Sequence, residues 1–117
     1  MKKYSIDFCD FFHHDDGILE VIVHESIEIS ESMAQEFFDF IESIQPKVTK
    51  YLINRINKYS YTFKASIMLA TTKIPADVAV VKYNRLPWPL KGVFTPKFYH
   101  LAFFDNREDA VLWLQNK

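Results

Sequence analysis

An α/β fold with a mixed, mostly parallel sheet is what this sequence predicts, and three observations carry the prediction. Apolar residues alternate with strand periodicity near the N-terminus, and strand and helix patterns alternate after that. Ala79-Val80-Val81 is a continuous apolar run, as a central strand buried on both faces requires. Such alternation favours right-handed crossovers, which makes the sheet mostly parallel and places the first strand antiparallel at an edge.

The elements follow in order. Tyr4, Ile6, Phe8 and Phe12 recur with strand spacing, Ile18 to His24 is rich in β-branched residues, and the turn-forming run His13-His14-Asp15-Asp16-Gly17 lies between them. This predicts an N-terminal β-hairpin. Ile27 and Ile29 continue the alternation briefly before Ser30 or Ser32, either of which can cap a helix, Ser32 with Gln35 making a capping box. Met33, Phe37, Phe38, Ile41 and Ile44 then form one buried helical face, ended by Pro46. Val48 to Ile56 reads as a strand, Tyr59 to Thr72 as a loop leading into a second helix with Ala65, Met68 and Leu69 inward, and Ala76 to Tyr83 as another strand. Asn84 to Lys97 holds three prolines and Gly92, which predicts an irregular segment. A last strand, Phe98 to Phe104, precedes a C-terminal helix capped by Asp105 or Asn106, with Ala110, Val111 and Leu114 inward.

Composition narrows the function. The 117 residues suit a single domain over 1–117 with no linker or repeat, and eleven Phe and six Tyr against two Gly predict a core built largely from rings. The formal charge of -1 is spread along the chain and offers no basic stripe for nucleic acid. The lone Cys9 has no disulfide partner, no leader pattern opens the chain, and no apolar run reaches a membrane span, so a cytoplasmic location is expected.

With these elements in place, the whole chain resembles the SpoIIAA-like, or STAS-like, family of small bacterial α/β proteins. The resemblance is carried by Gly17-Ile-Leu-Glu-Val-Ile-Val, the helix Ala34 to Ile44, Tyr51-Leu-Ile-Asn-Arg-Ile-Asn with Tyr59-Ser-Tyr-Thr, Val78-Ala-Val-Val-Lys-Tyr-Asn, and Phe104-Asp-Asn-Arg-Glu-Asp-Ala-Val-Leu-Trp-Leu. It implies a four- to five-stranded sheet with helices packed mainly on one face, and a role in protein interaction or small-ligand binding rather than catalysis. In family members that antagonise anti-sigma factors, a serine at the start of a helix is phosphorylated to switch partner binding, and the matching position here is Ser60. Where relatives often have a helix, this chain carries the Pro-rich aromatic segment after Asn84.

Three constellations are candidates for chemistry. His13-His14-Asp15-Asp16 combines imidazole with carboxylate and suits a divalent metal, or equally a polar hairpin turn. Pairing His14 with Ile18 sets His24 opposite Phe8, about 17 Å along the strand from His13, which removes His24 as a third ligand. Arg55, Asn57, Lys58, Tyr59 and Ser60 follow one central strand, and Tyr83, Asn84 and Arg85 follow the next. Open sheets form ligand crevices there, and a helix N-terminus near Ser60 would favour an anion. Leu86-Pro87-Trp88-Pro89-Leu90 with Val93 and Phe94 must fold back as a lid or bury itself against a protein partner or second copy, with Trp88 as anchor.

Cys9 and His100 sit in strands and read as structural, and no phosphate-binding, zinc-protease or nucleophile-elbow motif occurs. The expected function is a non-catalytic interaction or regulatory module without cofactor or metal. The alternatives are a carrier or sensor of an anionic or lipid-like small molecule, and a metal-dependent enzyme built on the His13 turn.

Overall fold

The computed structural model describes residues 1–83 and 99–117. Within them the chain forms β1 (Lys2–Ile6), β2 (Cys9–His13), β3 (Ile18–Val23), β4 (Ile27–Ile29), α1 (Glu31–Ser43), β5 (Lys50–Arg55), β6 (Tyr59–Tyr61), α2 (Phe63–Thr71), β7 (Asp77–Lys82), β8 (His100–Phe104) and α3 (Arg107–Gln115). The main sheet has six strands in the order β1-β2-β3-β5-β7-β8, and β4 and β6 form a separate two-stranded sheet. The fold is therefore α/β with a mixed sheet: β3-β5, β5-β7 and β7-β8 are parallel, β1-β2 and β2-β3 antiparallel.

The expected four to five strands are too few, because the first strand is two. Asp7 and Phe8 form a two-residue turn that pairs Ile6 with Cys9. The turn moves the inward positions from even to odd numbers, so Tyr4 and Ile6 share a face with Cys9 and Phe11. The second hairpin closes over Asp15, Asp16 and Gly17, where Gly17 takes a left-handed φ of 88° and donates to the carbonyl of His14. The segment from Tyr59, expected as loop, opens with β6, which pairs Ser60 with Glu28 of β4.

The helices start where side-chain oxygens meet their first amides. Ser30 caps α1, accepting from the amide of Met33 at 3.3 Å, so the box through Ser32 is not the one used. Thr62 caps α2 and Asn106 caps α3. Two of the three helices pack on one sheet face and the third on the other. On the first face α1 and α2 bury Ala34, Ile41 and Ala65 against Phe11, Leu19, Val21 and Val80. On the second, α3 sets Ala110 and Leu114 against Ile18, Leu52, Ala79 and Val81, the alanines letting helix and sheet approach closely. Fully burying a Leu or Phe stabilises by about 1.5–3 kcal/mol, so Phe11, Leu19, Leu52 and Leu114, all at or near zero exposure, anchor both layers.

Candidate functional site

The residues after β5 lie at the sheet's carboxyl end, but most are committed to holding neighbouring connections together. The Arg55 guanidinium donates to the carbonyl of Tyr59 at 2.8 Å and lies 4.4 Å from the centre of that ring. Asn57 donates from Nδ2 to the carbonyl of Val23, and the Lys58 amide donates to the Glu25 carboxylate. Ser26, with a left-handed φ of 64°, donates its amide to the carbonyl of Lys58 at 2.7 Å. Asn57 and Lys58 thus clasp the β5–β6 connection to the β3–β4 connection, while Arg55 braces the end of β5 against β6.

Ser60 is exposed but stands inside β6, and α2 begins beyond it, with Thr62 Oγ1 accepting from the amide of Ala65. The helix N-terminus expected at Ser60 is therefore displaced by two residues and occupied by its own cap. Tyr83 is exposed after β7. Asn84, Arg85, Trp88 and the rest of the Leu86 to Phe94 segment lie outside the described residues.

The His13 turn is drawn into structure. Asp16 accepts from the amide of Ile18 and from Gln115 of α3, Asp15 accepts from the amino group of Met1, and His14 Nε2 lies 2.8 Å from Glu20 Oε1. His24 donates its amide to the carbonyl of Phe8, the register that separates it from His13, and its ring meets Asp10 at 3.4 Å. Among the described residues no three His, Cys, Asp or Glu side chains gather as a metal site.

Two features were missed from the sequence. The first is a buried polar cluster on the α3 face, centred on Glu20 of β3. Its carboxylate accepts from Arg107 Nη2 at 2.9 Å and Nε at 3.1 Å, from Asn54 Nδ2 at 2.8 Å, and meets His14. Burial alone pushes the Glu20 carboxyl upward, yet the bonds from Arg107, Asn54 and His14 together outweigh it and bring the group down to about 2. Among the described residues the Oδ1 of Asn54, which is buried, has no hydrogen-bond partner. The only sequence signal was a single charge inside the apolar strand Ile-Leu-Glu-Val-Ile-Val.

The second is an apolar cavity of about 90 Å³ between the sheet and the pair α1 and α2. Its walls include Val21 and Val80 from the sheet, Ala34 and Phe38 from α1, and Tyr59 and Tyr61 from β6. Two other wall tyrosines spend their hydroxyls on backbone: Tyr51 donates to the carbonyl of Val48, and Tyr99 to that of Leu69. The Tyr59 and Tyr61 hydroxyls lie 3.4 Å apart. Burial, the largest influence on both, raises the Tyr59 and Tyr61 phenols above their ordinary range, while Arg55 acts in the opposite sense.

No family model, curated protein or solved structure matches this chain. No helix among the described residues is long and apolar enough to cross a membrane.

Proposed function

We propose that this chain is a non-catalytic, STAS-like binding module whose ligand is a small apolar molecule, or the apolar end of a larger one, held between the sheet and the helices α1 and α2. The supporting observation is the apolar cavity of about 90 Å³ at the centre of the first core. Protein interiors leave few voids larger than a water, and an apolar void of this kind stays dry and accepts apolar guests.

Xenon under pressure tests this reading by NMR. Methyl signals of Val21, Val80 and Ala34 shift on addition of the gas, and the shifts disappear in Ala34→Leu, whose larger side chain fills the void; Val80→Ile does the same with less crowding. Unshifted methyls in the wild-type protein would refute the reading.

A regulatory role through a protein partner is the second reading, favoured by Ser60. It is exposed on β6, and the neighbouring Ile56 and Phe63 are each 61% exposed. Native mass spectrometry of the protein from its own host then finds phosphate on Ser60, or a stable complex that Ser60→Asp disrupts. Unmodified protein and a complex indifferent to the substitution would end this reading.

A further inference from the structure

On one side the cavity ends at a wall one side chain thick. Phe38, Ile41 and Ile74 line it from within, and the same three residues line an open groove between α1 and the C-terminal end of α2. Elsewhere the cavity wall is pinned by hydrogen bonds, Tyr51 to the carbonyl of Val48 and Tyr99 to that of Leu69. The shared wall is hydrocarbon and has no such tie. Phe38 and Ile74 are half-buried, and Ile74 stands on residues 72–76, which form neither helix nor strand. Connections of this kind open at lower cost than core elements, so the groove is the side from which the cavity is reached.

The groove is polar where the cavity is not, and its hydroxyls are one-sided. Thr71 Oγ1 donates to the carbonyl of Ile67 at 2.8 Å, and Thr72 Oγ1 donates to that of Met68 at 2.6 Å. Each hydroxyl has given its one proton to the backbone, so what it offers a ligand is a lone pair. Gln35 likewise turns an amide N–H to Asp39. Glu42 and Lys73 bring one charge of each sign to the groove, so an ion of either sign meets a like charge there.

Resting on the reading of the cavity as a ligand site, we infer that the natural ligand is an amphiphile. Its short hydrocarbon tail fills the cavity and continues past Phe38 and Ile74 to an uncharged head in the groove, which donates a hydrogen bond as a hydroxyl does. A cavity of about 150 Å³ holds benzene, so about 90 Å³ takes about four carbons of the tail.

A pair of isomers separates the donor from the hydrocarbon. Hexan-1-ol and 1-methoxypentane match in heavy atoms, and only the alcohol donates. Dissociation constants from NMR titration of the wild-type chain favour the alcohol by about 2- to 10-fold, the worth of one hydrogen bond. The preference is reduced in Thr72→Val and disappears when Thr71→Val is added, changes that keep the side-chain shape and remove the lone pairs, while the xenon response of both variants is retained. Hexanoate and hexylammonium bind the wild-type chain more weakly than the alcohol. Intermolecular NOEs place the tail methyl of hexan-1-ol at Val21 and Val80 and its carbinol methylene at Thr72. Carbinol NOEs to Val80, a preference that survives the double substitution, or tighter binding of either ion overturns the assignment of the head while leaving the cavity as a site for apolar molecules. Failure of xenon and of every probe to bind overturns the site itself.

Discussion

Glu20 and Arg107, 87 residues apart in the chain, meet as a two-point ion pair, Nη2 to Oε1 at 2.9 Å and Nε to Oε2 at 3.1 Å. The pair joins the first turn of α3 to the middle of β3, and the Glu20 side chain is 8% exposed against 44% for Arg107. Removing Arg107 therefore leaves a carboxylate buried with only Asn54 and His14 as partners among the described residues. Full burial would make that loss about 3–5 kcal/mol, and the exposure of Arg107 reduces it to about 2 kcal/mol for Arg107→Ala. Replacing both residues by Met removes the stranded charge, so the double variant should unfold at higher urea than Arg107→Ala. A double variant no more stable than the single one would show that the pair does not hold α3.

The same cluster fixes how stability responds to acid. The Glu20 carboxyl is lowered from 4.5 to about 2 in the folded chain, so its contribution is complete above pH 4.5, where the unfolded chain is also ionised. It shrinks as pH falls from 4.5 and is lost through pH 2. Thermal unfolding of the wild type and Glu20→Gln should accordingly give a gap in Tm that is constant near neutrality and closes across that window. A gap independent of pH would mean that the carboxylate is not held ionised by its partners.

The order of strands and helices was legible because each long element carries its own period: the apolar run Val78 to Val81 marks β7, and Phe37, Phe38 and Ile41 mark α1. Short and paired features were not. Three residues, Tyr59-Ser60-Tyr61, are too few to show a period, so β6 was read as loop. The switch from Tyr4 and Ile6 to Cys9 and Phe11 is the trace of the two-residue turn, but Phe8 and Phe12 continued the even spacing and concealed it. Glu20 was read only as a member of its strand, because nothing near it in sequence announces Arg107. The cavity is a relation among side chains from β3, α1, β6 and β7, and no local pattern encodes an unfilled volume.

Capping separates Ser60 from its neighbour. Thr62 Oγ1 satisfies the amide of Ala65 at 3.1 Å, whereas Ser60 is exposed within β6. Thr62→Ala should cost about 1 kcal/mol in chemical denaturation, and Ser60→Ala should stay within about 0.5 kcal/mol of the wild type. A large loss at Ser60 with none at Thr62 would place the start of α2 at Ser60.

Cys9 has no exposed surface, and its thiol is pushed up to about 12, first by burial and then by the neighbouring Asp10 carboxylate. Only the thiolate attacks alkylating reagents, so at pH 8 the reactive fraction is on the order of 10³-fold below that of an ordinary cysteine, before access is considered. The folded chain should therefore resist a colorimetric disulfide reagent, and one equivalent of thiol should appear when denaturant is added. The rate of appearance then follows opening of the β2–β3 region, where Cys9 pairs with Val23, and falls when a cavity ligand stabilises the fold. Rapid labelling of the native protein would contradict the packing of Cys9 in the first core.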